Sequence, residues 1–130
     1  MKFINPESLA RPKGYNHGTL TPSDGHVLFI AGQIGWDRNE KLADGFVAQF
    51  DLALANVLEV VRAAGGNAGD ISRFTIFVKD KSQYLQLRKE IGTVYRDRVG
   101  LHYPSMTLVV VKDLLEDGAL VEIEATAVIR

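Results

Sequence analysis

Two glutamates near the end of the chain have the chemistry best suited to proton transfer. Glu122 and Glu124 are separated by the apolar Ile123, so on an extended strand both carboxylates point to the same face of a sheet. A carboxylate enclosed in an apolar cleft can accept a proton and return it, whereas a carboxylate on a wet face is only solvated. The spacing leaves both interpretations open. Either carboxylate is a candidate for proton transfer.

Polar ring systems near the start of the chain are candidates for ligand binding. Tyr15 and His17 could hydrogen-bond a ligand, although a lone histidine is more often structural or exposed. The three histidines, His17, His26 and His102, do not have the spacing of metal ligands, and the chain contains no cysteine. The sequence therefore predicts no metal site, no disulfide and no thiolate nucleophile.

Length and composition are those of one ordinary domain, which we place over residues 1–130. Apolar residues make up 46% of the chain and charged residues 24%, with a formal net charge of −1. That charge gives no electrostatic reason to expect a nucleic-acid or membrane partner. No apolar run approaches the roughly 20 residues that span a bilayer, and the N-terminus lacks the apolar core of a secretory signal. We expect a cytoplasmic protein.

Two helices are predicted from apolar spacing. The first begins near Phe46 with Asp44 as its cap and ends at Gly65-Gly66. Its buried stripe recurs at steps of three and four, at Phe46, Phe50, Leu54, Val57, Leu58 and Val61. The second is predicted over 82–98, with Tyr84, Leu87, Ile91, Val94 and Tyr95 on one side. Gly92 inside it costs about 1 kcal/mol relative to alanine, which suggests a close contact at that point.

Strands are predicted over 15–20, 27–34, 72–78, 105–111 and 119–129, with a further short strand possible at the start. A loop is expected at 36–40, where Asn39 suits a positive φ. The element order indicates an α+β fold with a mixed sheet and both helices on one face. The strands 27–34 and 107–111 are apolar on both faces, so the face away from the helices should promote self-association.

With the elements placed, several motifs resemble the reactive-intermediate deaminase (Rid, YjgF-type) family across almost the whole chain. No single motif is decisive, but the ordered set has the family's spacing. The motifs are Gly14-Tyr15, Ala31-Gly32-Gln33-Ile34, Ala48-Gln49, Asn56-Val57, Asp70-Ile71, Phe77-Val78-Lys79-Asp80, Tyr103-Pro104 and Glu122-Ile123-Glu124-Ala125.

The resemblance implies a chorismate-mutase-like α+β fold, with about six strands in a mixed sheet and two helices on one face. It also implies a homotrimer with a central barrel and a ligand cleft between each pair of subunits. Typical members hydrolyse enamines or imines such as 2-aminoacrylate to a 2-keto acid and ammonia, without a cofactor.

The resemblance also implies roles for particular residues. The glutamate that handles the attacking water corresponds to Glu122, the cleft glycine to Gly32 and the cleft tyrosine to Tyr15. Family members have Pro-Ala-Arg-Ser where this chain has Pro104-Ser105-Met106-Thr107. That arginine binds the substrate carboxylate with two parallel hydrogen bonds. Ser105, Met106 and Thr107 are therefore expected to line the cleft without it.

Met106 changes what such a cleft can bind. A charge-assisted hydrogen bond contributes about 1.5–3 kcal/mol, so losing the bidentate pair should weaken binding of a 2-imino acid about 10²-fold. A thioether makes the cleft more apolar and favours a larger ligand, for example an aromatic one. Arg88 or Lys89 of the second helix is a candidate substitute cation reaching a neighbouring subunit's cleft. A solvated helix face is the favoured interpretation for both, and Arg96 is expected on the surface.

Three functions follow from these observations. The first is a divergent enamine or imine deaminase-like hydrolase that does not act on 2-aminoacrylate. The second is a trimer that binds a small molecule without catalysis. The third, RNA-directed inhibition of translation, is disfavoured because the chain has neither a basic stripe nor stacking aromatics.

Overall fold

A computed structural model describes all of residues 1–130. Six strands and three helices follow one another along the chain. They are β1 (Lys2–Ile4), β2 (Gly18–Leu20), β3 (His26–Ile34), α1 (Phe46–Ala63), β4 (Ile71–Val78), α2 (Lys81–Gln86), α3 (Arg88–Val99), β5 (Ser105–Val110) and β6 (Val121–Ile129). A single 3₁₀ turn, Ala68–Asp70, precedes β4.

The main sheet has four strands in the order β3-β6-β4-β5. Strand β6 is antiparallel to both neighbours, and β4 is parallel to β5. The α+β class and the mixed sheet are therefore as predicted. The prediction of one sheet of about six strands is wrong, because β1 and β2 form a separate two-stranded sheet. The strand predicted over 15–20 is shorter than expected, because its partner β1 ends at Ile4, two residues before Pro6, and only Gly18–Leu20 is paired.

Helix α1 covers one face of this sheet through the predicted stripe, all six members of which are buried. They pack against the inward residues of β6, which alternate with outward ones along the strand. The prediction that Asp44 caps the helix is wrong. The cap position is Gly45, whose φ of 93° turns the chain into the helix without a side-chain hydrogen bond.

The second predicted helix is two helices, because the chain leaves helical geometry at Leu87 (φ −106°, ψ 14°). Asp80 caps α2 by accepting from the Gln83 N–H at 3.1 Å. In α3, Ile91 and Tyr95 join the same core as α1, so the helices lie on one face of the sheet. The close contact expected at Gly92 is absent, since a Cβ built there meets nothing within 4 Å.

The face of the sheet away from the helices, called the outer face below, is mixed in polarity. On β3, Val27 and Phe29 are exposed, Phe29 to 77%. On β6 the outward residues are Glu122, Glu124, Thr126 and Val128, and Thr75 of β4 is the register partner of Glu124. Apolar surface is therefore present on this face on both predicted strands, at Val27 and Phe29 of β3 and at Val109 of β5. In the loop at 36–40, the residue with positive φ is Glu40 (61°), not Asn39, whose N–H is instead held by the Asp37 carboxylate.

Gln49 is the one buried polar side chain of the core and ties α1 to two loops. Its amide nitrogen donates to the carbonyls of Ala43 (3.2 Å) and Gly118 (3.1 Å), and its amide oxygen accepts from the Leu120 N–H at 2.8 Å. The Gly35 backbone lies so near that a Cβ there would be 2.3 Å from the Gln49 carbonyl oxygen. This residue therefore fixes how α1 meets the ends of β3 and β6.

We predict that Gln49→Leu lowers the free energy of unfolding by about 3 kcal/mol, because it leaves two carbonyls and one N–H without their partner at a partly buried site. Urea denaturation at one protein concentration measures this. Gln86→Leu, on the exposed end of α2, should change stability by less than about 0.5 kcal/mol. Equal effects of the two substitutions would contradict the role given to Gln49.

Candidate functional site

Glu122 lies directly over the glycine predicted to line the cleft. A Cβ built at Gly32 would be 2.2 Å from Glu122 Oε1 and 2.8 Å from Cδ, so any other residue there would displace the carboxylate from this position. The register of β3 against β6 shifts between Ile30 and Gln33, which brings Gly32 into the bulge beneath it. Glu122 is half-buried on the outer face, where its register partners are Ile34 and Phe77.

Met106 lies on the opposite face of the same sheet. Its register partner on β4 is the buried Phe74, which faces the helices, and Met106 packs against the core. Side chains alternate between the two faces of the sheet along β4, so Phe74 and Phe77 point to opposite faces. Met106 beside Phe74 and Glu122 beside Phe77 therefore also point to opposite faces. Within one protomer, Glu122 and Met106 therefore do not share a cleft.

The largest cavity, called the large cavity below, has a volume of about 590 Å³ and lies between α2, α3, β5 and the N-terminal segment. Met106 and Leu108 of β5 line it opposite the α3 residues Ile91 and Tyr95. Its remaining lining residues are Lys13, Gly14, Tyr15, Asn16, Phe50, Ile76, Tyr84, Arg88, Gly92, Arg96 and Tyr103. The lining thus combines apolar and aromatic groups with three cations and contains no aspartate or glutamate.

A second cavity of about 310 Å³, the small cavity, adjoins the first at Tyr15, Asn16 and Met106. It brings together five of the seven residues predicted to line the ligand cleft. These are Tyr15, His17, Ser105, Met106 and Thr107, accompanied by Asn16, Arg73, Phe74 and Thr75.

The N-terminal segment is held against β5 by hydrogen bonds. Asn16 forms a parallel bridge with Ser105, and its side-chain amide donates to the Tyr103 carbonyl. Thr19 Oγ1 lies 2.7 Å from Ser105 Oγ and accepts from the Ser105 N–H at 2.9 Å. His17 Nε2 lies 2.6 Å from the Ala10 carbonyl, so this ring is engaged within its own segment.

Tyr95 stiffens the wall of the large cavity. Its hydroxyl donates to the His102 carbonyl at 2.6 Å, and its ring stacks on Tyr103 with centroids 5.2 Å apart. Burial, with a smaller contribution from Tyr103, raises the pKa of Tyr95 well above its ordinary value. The hydroxyl is therefore a permanent donor at neutral pH.

Three predicted site residues, Glu122, Gly32 and Lys89, line neither cavity. Lys89 is exposed and lines neither cavity, whereas its neighbour Arg88 lines the large one. Arg96, expected on the surface, is exposed but borders the same cavity. Residues 88, 92, 95 and 96 are spaced along one face of α3, and this spacing is the feature of the sequence that indicates a shared cavity wall.

No group of three or more histidine, aspartate or glutamate side chains is arranged to hold a metal ion. His102 Nε2 lies 2.7 Å from the Ile71 carbonyl, away from His17 and its partner. None of the helices is both long and apolar enough to cross a membrane.

Comparison with known proteins identifies the class to which this fold and site belong. The family model described as endoribonuclease L-PSP (Ribonuc_L-PSP) matches residues 7–129. The 2-iminobutanoate/2-iminopropanoate deaminase of Salmonella typhimurium is 33% identical over 107 residues, 82% of each chain.

Solved structures agree. The chain resembles YyfB of Yersinia pestis, a Rid family protein of unknown function, with a TM-score of 0.85 and 32% identity over 98% of each chain. It resembles Escherichia coli TdcF with bound serine, with a TM-score of 0.70 and 30% identity over the full length of both. These matches define an α+β domain of the YjgF/Rid type. The chain belongs to the Rid (Ribonuc_L-PSP) family, as its motifs predicted.

We predict that Tyr95→Phe lowers the free energy of unfolding by about 1 kcal/mol at pH 7, because the His102 carbonyl loses its donor. Above pH 10 the tyrosine of the unfolded chain ionises while folded Tyr95 does not, so this residue makes the parent lose stability as pH rises. The variant should lose less stability between pH 9 and 11. Denaturation across that range, with Tyr84→Phe as a control that should follow the parent, checks both statements.

Proposed function

We propose that this protein is an enamine or imine deaminase-like hydrolase that works as a homotrimer. Its active clefts lie between protomers, and its preferred substrate is not 2-aminoacrylate. Membership of the Rid family and the similarity to a named 2-iminobutanoate/2-iminopropanoate deaminase support the reaction class.

The observation that carries the proposal is the separation of Glu122 from the large cavity. One protomer presents Glu122 and Gly32 on its outer face and the large cavity on its helix face. A single ligand can reach both only where the outer face of one protomer meets the cavity side of another. The exposed Val27 and Phe29, on the strand paired with β6, supply apolar surface for that contact.

In the proposed reaction, water adds to the imine carbon while the Glu122 carboxylate accepts its proton. The same carboxyl group returns that proton to nitrogen and gives a carbinolamine. It then transfers the hydroxyl proton of the carbinolamine to nitrogen as the C–N bond breaks, so that ammonia leaves a carbonyl product. Every atom comes from water and substrate, so no cofactor takes part. In this proposal, backbone N–H groups near Gly32 stabilise the developing charge, whereas the Ser105 N–H, directly after Pro104, already donates to Thr19 Oγ1.

Met106 is the basis for excluding 2-aminoacrylate as the preferred substrate. Its thioether offers no hydrogen-bond donor to a carboxylate where the family's arginine offers two. A small imino acid has little other surface with which to bind, so its affinity depends largely on that interaction.

We predict that Met106→Arg increases kcat/KM for freshly generated 2-aminoacrylate at least 10-fold, because it restores the bidentate carboxylate interaction. Ammonia release measures the rate, and Met106→Leu is the neutral control that should remain at the parent level. Adding Glu122→Gln to Met106→Arg should abolish the gain. Full activity in that double variant would refute the role of Glu122, and ligand-induced stabilisation without turnover would indicate a binding protein instead.

Mixed assemblies test whether the cleft is shared. The parent supplies Glu122 without arginine, and the double variant Met106→Arg/Glu122→Gln supplies arginine without the carboxylate. In a 1:1 random mixture, about one quarter of inter-subunit sites combine both groups, since each is present with probability one half. We therefore expect about a quarter of the activity of Met106→Arg. No activity above that of the two separate proteins would show that both groups act within one protomer.

A further inference from the structure

The large cavity has an unbalanced charge. Arg88, Arg96 and Lys13 line it, and no carboxylate does. The four ion pairs of the chain engage other cations, namely Arg62, Lys79, Arg98 and Arg130. Nearby cations with no acidic partner lower the electrostatic potential energy of an anion placed between them.

The two arginines lie on the same face of α3. They are eight residues apart, so they are separated by about 12 Å along the helix axis at 1.5 Å per residue. Gly92 lies midway between them, also on the cavity. A Cβ built at Gly92 meets nothing, so this glycine leaves the space between the arginines open instead of admitting a packed neighbour.

The wall facing the arginines is apolar and aromatic. Met106 and Leu108 of β5 line it, together with the ring of Tyr103. A volume of about 590 Å³ is typical of cavities that enclose a ligand much larger than a three-carbon acid. The cavity therefore suits a molecule with an apolar body and at least one acidic group.

We propose that the large cavity binds an aromatic or similarly bulky apolar carboxylate, whose acidic group pairs with Arg88 and Arg96 of α3 and whose apolar body packs on Met106 across the space left by Gly92. This inference rests on the proposed function, for which it names the substrate class. The carboxylate is thus bound from the helix, not from position 106 of β5. Arg88 and Arg96 are binding residues in this scheme and take no part in proton transfer.

Three stable probes separate the two parts of the proposal by calorimetry or thermal shift. They are 3-phenylpropanoate, propanoate, which lacks the ring, and 3-phenylpropan-1-ol, which lacks the charge. We expect 3-phenylpropanoate to bind at least 10-fold more tightly than either of the others, because only it uses both the arginines and the apolar wall. Equal affinity for the acid and the alcohol, or no binding of 3-phenylpropanoate at millimolar concentration, would overturn the proposal.

Variants locate the site. Arg88→Met and Arg96→Met should each weaken 3-phenylpropanoate about 10-fold and leave 3-phenylpropan-1-ol unchanged, and the double variant should remove the preference for the acid. Lys89→Met is the matched control, since Lys89 is an exposed cation next to Arg88 that lines no cavity. If Lys89→Met weakens binding as much as Arg88→Met does, the effect is one of general charge and the site assignment is wrong.

Gly92→Leu tests the open space. Leucine should fill the cavity and weaken both phenyl probes, while the helix itself gains stability relative to glycine. Unchanged binding in a folded Gly92→Leu protein would place the ligand elsewhere. None of the three probes contains a C=N bond that could be hydrolysed, so their binding is measured on the parent protein independently of turnover. Failure of the hydrolase proposal and failure of this inference therefore give different results.

Discussion

The alternation of side chains along β6 is the constraint on which the rest of the structure depends. As the inner strand between β3 and β4, it buries Val121, Ile123 and Ala125 against α1. The residues between them must then face the other way, which commits Glu122 to the outer face. A shift of one residue in pairing would bury both glutamates and expose the core, so the position of the carboxylate is fixed by the same packing that stabilises the domain.

Pairing of β4 with β5 extends this constraint to the rest of the site. The register that sets Met106 beside buried Phe74 assigns it to the helix side. The Glu122 carboxylate and the large cavity therefore lie on opposite sides of the sheet, although Glu122 and Met106 are only sixteen positions apart in the chain. For a chemistry that needs both surfaces, the assembly is as much a part of the active site as any side chain.

Much of this arrangement follows from the sequence, and the exceptions have physical causes. The stripe of α1 and the alternation of β6 were predictable because periodicity reports directly on burial. The break at Leu87 and the glycine cap at Gly45 were not, because backbone geometry there has no distinctive local pattern. The surroundings of Gly92 were also not predictable from the sequence. A glycine inside a helix is compatible with a tight contact or with empty space, and only the neighbouring elements decide. Arg88 and Lys89 differ by about 100° around the helix, so choosing between them required the orientation of α3 against the sheet.

The attachment of the N-terminal segment has a consequence for how this domain opens. Residues 13–17 border both cavities, yet they are joined to β5 by Asn16 and by the Thr19–Ser105 pair, not by burial in the core. Segments held mainly by hydrogen bonds and little core packing detach at a lower free energy than core strands do. This segment can therefore detach and rebind while α1 and the four-stranded sheet stay folded. A bulky molecule can then enter the large cavity without unfolding of the domain.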